Sequence, residues 1–332
     1  MQELNKQSWM EATTSRPESN FLSSWEYGES QLSCGSQVFR RMLDGPQPAM
    51  YQAILREAKR GRYLEIGGGP LLDLDSDQAV AITESLTSLA KDNDCVFVRL
   101  RPQIELSDSH LARMSDLGYV RAPMHLLAEH TSIIDLGGQD EDSLLAAMRK
   151  NTRYEIRRSI KKDVNVIVDN SEKSIIDFVN LLSDTAKRQS FVLGSSQQIL
   201  AEITALCTGG GKIYKSFAGD VHLATAFVVS YGQESSYLYG ASTAEGRNLP
   251  GSYAALWQAI RDSLEAGIER FNLWGTAPAD QPDHRYAGVT TFKNGFGGRT
   301  VEYLPAHDLV VKGMAYQKTK AVEVLRKKKR GL

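Results

Sequence analysis

Cysteine is scarce in this chain and is not arranged in pairs. Three cysteines, Cys34, Cys95 and Cys207, lie far apart in a sequence of 332 residues. Disulfide frameworks and zinc sites need closely spaced cysteine or cysteine–histidine groups. The six histidines also lack i, i+4 partners or acidic residues spaced for zinc. We therefore expect neither a disulfide framework nor a metal site.

The sequence also lacks a strong charge bias and a long apolar run. Its 39 Lys and Arg residues against 40 Asp and Glu residues leave a net charge of -1. Any contact with nucleic acid must therefore come from a local basic surface. No stretch reaches the roughly eighteen apolar residues of a transmembrane helix, and the N-terminus lacks a signal-peptide core. We expect a cytoplasmic protein that meets any membrane-linked substrate from the cytoplasmic side.

Length and pattern predict two α/β domains. A chain of this length exceeds one ordinary hydrophobic core. Helical periods and short buried strands alternate in both halves, which indicates a duplicated unit with mixed α/β structure. We place the first domain at residues 1–136, completed by 305–332, and the second at 137–304.

The pattern also predicts particular elements. A helix is expected at residues 21–31, entered through Ser23 or Ser24. One long helix is expected to begin at the acidic segment 140–142 and to end in the basic segment 149–162, as the helix dipole favours. A β-hairpin is predicted across Gly232 and Gln233.

A glycine-rich segment, residues 288–298, carries one lysine between two phenylalanines. It reads GVTTFKNGFGG, and its glycines permit positive φ or a close approach of the backbone to a ligand. Phe292 and Phe296 would pack against a core and hold Lys293 in place. A fixed cation in a dry site stabilises a developing anion far better than one in water. On the residues alone, a tight turn with an exposed lysine is an equally good interpretation.

Ordered segments along nearly the whole chain resemble the FemABX family of peptidoglycan-bridge aminoacyltransferases. The segment GVTTFKNGFGG is similar to the carboxy-terminal signature of that family. The other similar segments are residues 21–28, 63–73, 98–102, 131–136, 144–160, 237–242 and 271–275. The resemblance implies two GNAT-like (acyl-CoA N-acyltransferase-like) domains. Because no stretch sustains heptads over several repeats, the chain resembles the short, armless, FemX-like branch, without a coiled-coil arm.

The resemblance implies transfer of an amino acid from aminoacyl-tRNA to an amine on the stem peptide of a peptidoglycan precursor. The acceptor would be a UDP-linked or lipid-linked muramyl pentapeptide. Since the tRNA ester is already activated, no cofactor and no covalent nucleophile is expected. Two alternatives stay open: a GNAT-like N-acyltransferase acting on a non-peptidoglycan amine, and a non-catalytic protein that binds tRNA or the precursor.

The resemblance also implies roles for single residues. Lys293 would stabilise the oxyanion of the tetrahedral intermediate, and Phe292 would shape its pocket. Arg188 would hold the diphosphate of the precursor, for which the planar guanidinium is suited. The residues indicate no general base, a role that a substrate phosphate or a tRNA hydroxyl could fill.

Gln31, Tyr237 and Tyr239 are further candidates for binding the acceptor. Gln31 stands near the position where the family carries a lysine for the same phosphates, and Arg40 or Arg41 could take its place. The two tyrosines alternate on one predicted strand, so both should face the same side and line a groove. Ordinary strand packing is the other interpretation.

Two basic segments are candidates for contact with tRNA. Four residues recur at every fourth position of the predicted long helix: Arg149, Arg153, Arg157 and Lys161. Such a stripe could bind the phosphates of the acceptor stem, although a charge run is more often a solvated face. The C-terminal helix, expected at 314–329, ends in the basic run 326–330, which could contact tRNA or anionic lipid at the inner membrane face.

Overall fold

The structure, a computed structural model, describes residues 4–45, 47–58, 61–189, 193–278, 281, 284 and 286–330. The chain divides into two compact units, residues 1–129 with 302–332 and residues 130–301. Each unit is built on one mixed sheet, so the predicted duplicated α/β architecture is confirmed. The boundary lies before strand 130–135 rather than after it, because this strand pairs with the sheet of the second unit.

The first unit contains a six-stranded sheet. Its strands are β1 (Gln37–Leu43), β2 (Ala49–Ala58), β3 (Gly61–Gly68), β4 (Cys95–Pro102), β5 (Tyr119–Arg121) and β13 (His307–Val310). Its helices are α1 (Lys6–Thr14), α2 (Trp25–Ser33), α3 (Gln78–Asp92), α4 (Asp108–Asp116) and α11 (Gly313–Arg330), with a short 3₁₀ turn at Phe21–Ser23. The strand order is β1-β2-β3-β4-β13-β5. Strands β3 and β4 are parallel, and α3 connects them.

The second unit contains a seven-stranded sheet. Its strands are β6 (His130–Asp135), β7 (Val164–Val168), β8 (Gly211–Ala218), β9 (Val221–Tyr231), β10 (Glu234–Ser242), β11 (Arg270–Asn272) and β12 (Arg299–Glu302). Its helices are α5 (Glu141–Ala147), α6 (Lys150–Lys161), α7 (Glu172–Gln189), α8 (Ser196–Cys207), α9 (Gly251–Glu265) and α10 (Ala287–Asn294), with a 3₁₀ turn at Glu245–Asn248. The strand order is β12-β6-β11-β10-β9-β8-β7. The parallel pair here is β10 and β11, connected by α9.

The two sheets share one pattern of strand directions. In the first unit β1, β2 and β3 pair antiparallel in that order, and in the second unit β8, β9 and β10 do the same. In each unit the third of these strands then pairs in parallel with the next one, and a helix connects the two. The next pairing is antiparallel in both units. The second sheet adds β7 at its edge. The duplication indicated by the sequence is therefore a duplication of topology.

Each connecting helix buries its apolar side against its own sheet. In the first unit, Ile82 and Leu86 of α3 are fully buried in a core with Leu64 and Val98. In the second unit, the buried apolar side chains of α9 pack in a core with those of β9, β10 and β11. In the part of the chain that the structure describes, no helix has both the length and the apolar character needed to cross a membrane.

The prediction of one long helix over residues 140–162 is wrong, because the chain forms two helices there. Met148 and Arg149 adopt extended backbone angles, with ψ of 151° and 144°. The Arg149 N–H donates to the Gly295 carbonyl at 2.9 Å instead of continuing the helical ladder. The Arg153 guanidinium then donates to the last carbonyls of α5, including that of Ala146 at 3.0 Å. The last carbonyls of α5 thus receive hydrogen bonds from a side chain outside that helix.

A buried ion network attaches the C-terminal helix to the first sheet. The Arg99 guanidinium donates to both oxygens of Asp308, at 2.7 and 2.8 Å, and to Glu323 at 2.9 Å. The Tyr316 hydroxyl also donates to Asp308, at 2.9 Å. Burial raises the pKa of the Asp308 carboxyl, and the Arg99 charge opposes this rise. The network therefore joins β4, β13 and α11.

We expect Asp308→Ala to destabilise the first unit by about 3 kcal/mol, the lower end of the cost of breaking a buried ion pair, because Glu323 is then the acidic partner that remains for the buried Arg99. Thermal unfolding followed by circular dichroism measures the change. Glu57→Ala is the matched control, since Glu57 pairs with Arg62 at the surface, and its midpoint should stay close to that of the wild type. Equal midpoints for the two variants would show that the buried network contributes no more than a surface pair.

Candidate active site

Lys293 lies in the last turn of helix α10 and not in the predicted glycine turn. The segment 287–294 is helical, and Gly295 still has helical angles at its end. The turn begins later, at Gly297, where φ is +86°. Phe292 and Phe296 are spaced by four residues and so lie on one side of the helix end, which explains why the segment continues as a helix.

The Lys293 ammonium is buried and has uncharged partners. Its residue is 8% exposed, and its Nζ donates to the Gly275 carbonyl at 2.9 Å. The same nitrogen lies 5.7 Å from the centre of the Tyr237 ring. Burial lowers the pKa of Lys293 to about 7. Such a lysine exchanges its proton near neutral pH, which a surface lysine does not.

The two phenylalanines that flank Lys293 in the sequence pack with other aromatic side chains. The rings of Phe292 and Phe296 meet edge to face at 5.3 Å, and the Tyr253 ring lies 5.0 Å from that of Phe292. Phe296 is fully buried in the core of the second unit. The sequence prediction that both phenylalanines pack against a core agrees with this arrangement.

A buried asparagine positions the carbonyl that Lys293 contacts. Asn272 is fully buried at the end of β11, and its Oδ1 accepts from Thr131 Oγ1 at 2.6 Å and from the Trp274 N–H at 2.9 Å. Trp274 has φ of +59°, a conformation that costs energy for a residue with a side chain. The asparagine thus holds the bend from which the Gly275 carbonyl extends.

Asn272 belongs to a larger buried network that sequence reasoning missed. Its Nδ2 donates to Glu234 Oε1 at 3.3 Å, and Glu234 also accepts from Ser236 and Arg270. In the sequence, segment 271–275 stands out only as a motif of the family resemblance. The polar asparagine within the otherwise apolar run 271–274 was the available signal, because a buried amide needs partners. The sequence carried no signal for Glu234, which begins a neighbouring strand.

The glycines after Lys293 allow close packing against the start of β6 and the end of α5. A Cβ atom on Gly297 would lie 2.8 Å from the Ala147 carbonyl oxygen, and one on Gly298 would lie 2.5 Å from Ser132 Oγ. The Arg149 N–H also binds the Gly295 carbonyl. The helix end that carries Lys293 is therefore fixed against two other elements of the same unit.

Tyr237 and Tyr239 face opposite sides of the sheet, so the prediction of a shared face is wrong. The register of β10 against β9 shifts between them, because Leu238 forms a β-bulge. Tyr237 then pairs with Val228 and packs in the core beside Lys293. Tyr239 pairs with Phe227, and its hydroxyl donates to Glu202 of α8 at 3.1 Å. Only Tyr237 is thereby brought to the lysine.

Arg188 is exposed near the end of α7. Its guanidinium donates to Thr185 Oγ1 and to the Ser242 carbonyl, both at 3.3 Å. These long contacts leave most of its donors available to a ligand. Lys293, in contrast, contacts Gly275 and Tyr237. The described contacts therefore do not bring Arg188 and Lys293 together.

In the first unit, Gln31 is bound to an arginine that the sequence analysis did not single out. Gln31 Oε1 accepts from Arg56 Nη1 at 2.9 Å, and Arg56 also pairs with Glu65 at 2.7 Å. Arg40 has a structural role instead: it donates to Gln52 at 2.7 Å and stacks on Trp25. Arg41 is exposed. The cation next to Gln31 is thus Arg56.

The predicted basic stripe is not one helical row. Arg149 precedes α6 in an extended conformation, and Arg153 is occupied by the carbonyls of α5. Arg157 and Lys161 remain exposed on α6. The C-terminal basic run lies within α11, but the side chains of residues 328–330 are outside the described ones.

Comparison with solved structures places this architecture among GNAT-like proteins with two domains. The chain is similar to the crystal structure of FemX, with a TM-score of 0.86 and 16% identity, over 96% of this chain and 99% of that one. It is also similar to a tandem GNAT protein from the clavulanic acid biosynthesis pathway, with a TM-score of 0.52 and 10% identity over 83% of each chain. The two units are therefore GNAT-like domains, as the resemblance implied.

The family follows from the sequence matches. The model of the FemAB family matches residues 13–198 and 207–324. The aminoacyltransferase FemA of Staphylococcus aureus is 21% identical over an alignment of 380 positions, gaps included, that covers 88% of this chain and 90% of that protein. The chain belongs to the FemAB family and is an aminoacyltransferase, which confirms the recognition made on its motifs.

Gly297→Ala should destabilise the second unit by roughly 1–3 kcal/mol, because the position needs positive φ and the new methyl group would meet the Ala147 carbonyl. Gly288→Ala is the matched control: it lies in α10 with open space around it, and alanine favours a helix. Urea unfolding followed by tryptophan fluorescence compares the two. A midpoint for Gly297→Ala at or above that of Gly288→Ala would contradict the tight packing of this turn.

Proposed function

We propose that this chain transfers an aminoacyl group from aminoacyl-tRNA to the amine of a peptidoglycan stem peptide, as in the formation of interpeptide bridges. The observation that carries the proposal is the buried Lys293, held by a backbone carbonyl and lying beside the Tyr237 ring. Membership of the FemAB family and the name of FemA support the peptidoglycan assignment. The proposal uses no cofactor and no metal.

The proposed reaction needs little beyond positioning and charge stabilisation. The acceptor amine attacks the ester carbonyl of the aminoacyl-tRNA, so a C–N bond forms and the carbonyl oxygen gains negative charge. The ester C–O bond then breaks, and the ribose hydroxyl leaves with one proton while the amine has lost one. Because the ester is already activated, holding both substrates in contact supplies much of the rate enhancement.

Lys293 would donate a hydrogen bond to the developing oxyanion. A cation in a dry, preorganised site stabilises such charge without rearranging solvent. The ammonium has three donors, and the Gly275 carbonyl takes one of them. Since burial lowers its pKa to about 7, the lysine is only partly protonated at neutral pH in the free protein. Phe292 would shape the pocket around it.

We propose two separate phosphate contacts for a UDP-linked or lipid-linked muramyl pentapeptide. Arg188 would hold the diphosphate with the donors that its long contacts leave available. In the first unit, Gln31 would make the second contact, beside Arg56, whose charge Glu65 already balances. Tyr239 would contribute through its polar edge beside Glu202.

The chain would act in the cytoplasm and could meet the inner membrane face. Helix α11 supports this part of the proposal, because Met314 and Leu325 are 89% and 67% exposed on a helix rich in lysine. An amphipathic basic helix of this kind is typical of peripheral contact with anionic lipid.

Lys293→Ala should lower kcat/KM by about 100-fold or more, as loss of one oxyanion donor typically does. The assay incubates the protein with mixed charged tRNAs and with UDP-linked or lipid-linked pentapeptide, and mass spectrometry detects the added residue. Lys173→Ala, which removes an exposed lysine paired with Asp177, should react like the wild type. Transfer by Lys293→Ala at the wild-type rate would refute the role of this lysine.

The pH dependence distinguishes a cationic lysine from a basic one. A lysine-type acceptor amine has a pKa of about 10.4, so log kcat/KM should rise with slope one as the amine loses its proton below pH 7. Above about pH 7, Lys293 loses its own proton, and the two effects cancel to give a plateau. A slope of two below pH 7 that falls to one above it would instead assign Lys293 as the general base, because both groups would then have to lose a proton.

Arg188→Ala should raise the KM for the acceptor by about 10-fold, as expected when a charge-assisted hydrogen bond is lost. The KM for aminoacyl-tRNA should not change. Lys187→Ala is the control, because this neighbour is exposed and pairs with Asp184. Equal effects of Arg188→Ala on both substrates would count against diphosphate binding.

A further inference from the structure

The outward face of α6 carries a row of three cations and one tyrosine. Thr152, Ile156 and Ser159 form the buried side of this helix. At 3.6 residues per turn, the positions opposite them are not the predicted set at every fourth residue. They are Lys150, Tyr154, Arg157 and Lys161. We call these four residues the α6 face.

The side chains of the α6 face point to solvent, whereas the other charges of the helix are engaged. Tyr154 is 59% exposed, and the three cations beside it are exposed as well. Glu155 pairs with Arg158 at 3.0 Å. Arg158 also donates to the Asn248 carbonyl, and Arg153 binds the carbonyls of α5. The face therefore presents positive charge that its own helix does not neutralise.

The α6 face begins next to the segment that holds Lys293. The N–H of Arg149, the residue that precedes α6, donates to the Gly295 carbonyl at 2.9 Å. Gly295 ends the helix that carries Lys293. From this point the face extends along α6 for roughly 16 Å, at 1.5 Å per residue. A ligand whose reacting end lies at Lys293 could continue along it.

We infer that the α6 face binds the sugar-phosphate backbone of the aminoacyl-tRNA near its 3′ end, with Tyr154 stacking on an unpaired base. Lysine and arginine in a row match phosphates in charge, and an exposed aromatic ring among cations is the arrangement that single-stranded nucleic acid uses. A lipid surface fits less well, because Ile160, an aliphatic side chain that α6 exposes, lies outside the row, roughly a quarter turn around the helix. The inference rests on the proposed function, since it takes tRNA as the donor.

The test measures RNA binding directly, without transfer. Fluorescence anisotropy gives the Kd of labelled, uncharged tRNA over a range of salt concentrations. The triple variant Lys150→Gln, Arg157→Gln, Lys161→Gln should bind at least about 10-fold more weakly at low salt. Its slope of log K against log salt should fall by about one for each cation removed.

Matched variants separate this face from general charge effects. Lys91→Gln, Lys173→Gln and Lys187→Gln together remove the same charge from exposed positions on α3 and α7, and should leave the Kd and the slope nearly unchanged. Tyr154→Ala should weaken binding, whereas Tyr154→Phe, which keeps the ring, should bind like the wild type. Lys293→Ala should also retain RNA binding.

The outcomes separate failure of the inference from failure of the proposed function. If the wild type binds tRNA and the triple variant binds equally well, the α6 face is not the site and the inference is overturned. If the wild type binds no tRNA, the donor assumed in the proposed function is wrong as well. If the triple variant loses binding to phosphatidylglycerol vesicles but not to tRNA, the face is a lipid surface and the inference is overturned.

Discussion

The hydrogen bond from the Lys293 ammonium to the Gly275 carbonyl is the contact on which the candidate site depends. Burial lowers the pKa of Lys293 to about 7. A cation contributes to catalysis only when its position is also fixed. The carbonyl is fixed because Asn272 holds the Trp274 bend, and the helix end is fixed because its glycines pack against α5 and β6. The lysine is thus positioned from both ends.

The two GNAT-like units use buried polar groups for different purposes. In the first unit, Arg99, Asp308 and Glu323 neutralise one another and attach the C-terminal helix. In the second unit, the network around Asn272 and Glu234 ends beneath the bend that positions Lys293. The same strand pattern therefore supports a network that attaches a helix in one copy and a network that orders the surroundings of a buried lysine in the other.

Most of the fold, but only part of the site, could be predicted from the sequence. Hydrophobic periods located the strands and helices because each unit buries one side of each connecting helix. The break at Met148 was missed because it depends on a distant carbonyl, that of Gly295. The opposite orientations of Tyr237 and Tyr239 were missed because a single bulged residue reverses the alternation. The flanking phenylalanines left a held and an exposed Lys293 as equally good interpretations, and they did not indicate that this lysine lies on a helix.

The most direct test of this account is an NMR titration of the Lys293 ammonium in the free protein, with the signal assigned by comparison with Lys293→Arg. A buried lysine with uncharged partners should titrate near pH 7. A pKa near 10.4, the value of an exposed lysine, would mean that the ammonium is solvated. It would contradict the proposal that this chain stabilises its transition state with a desolvated cation.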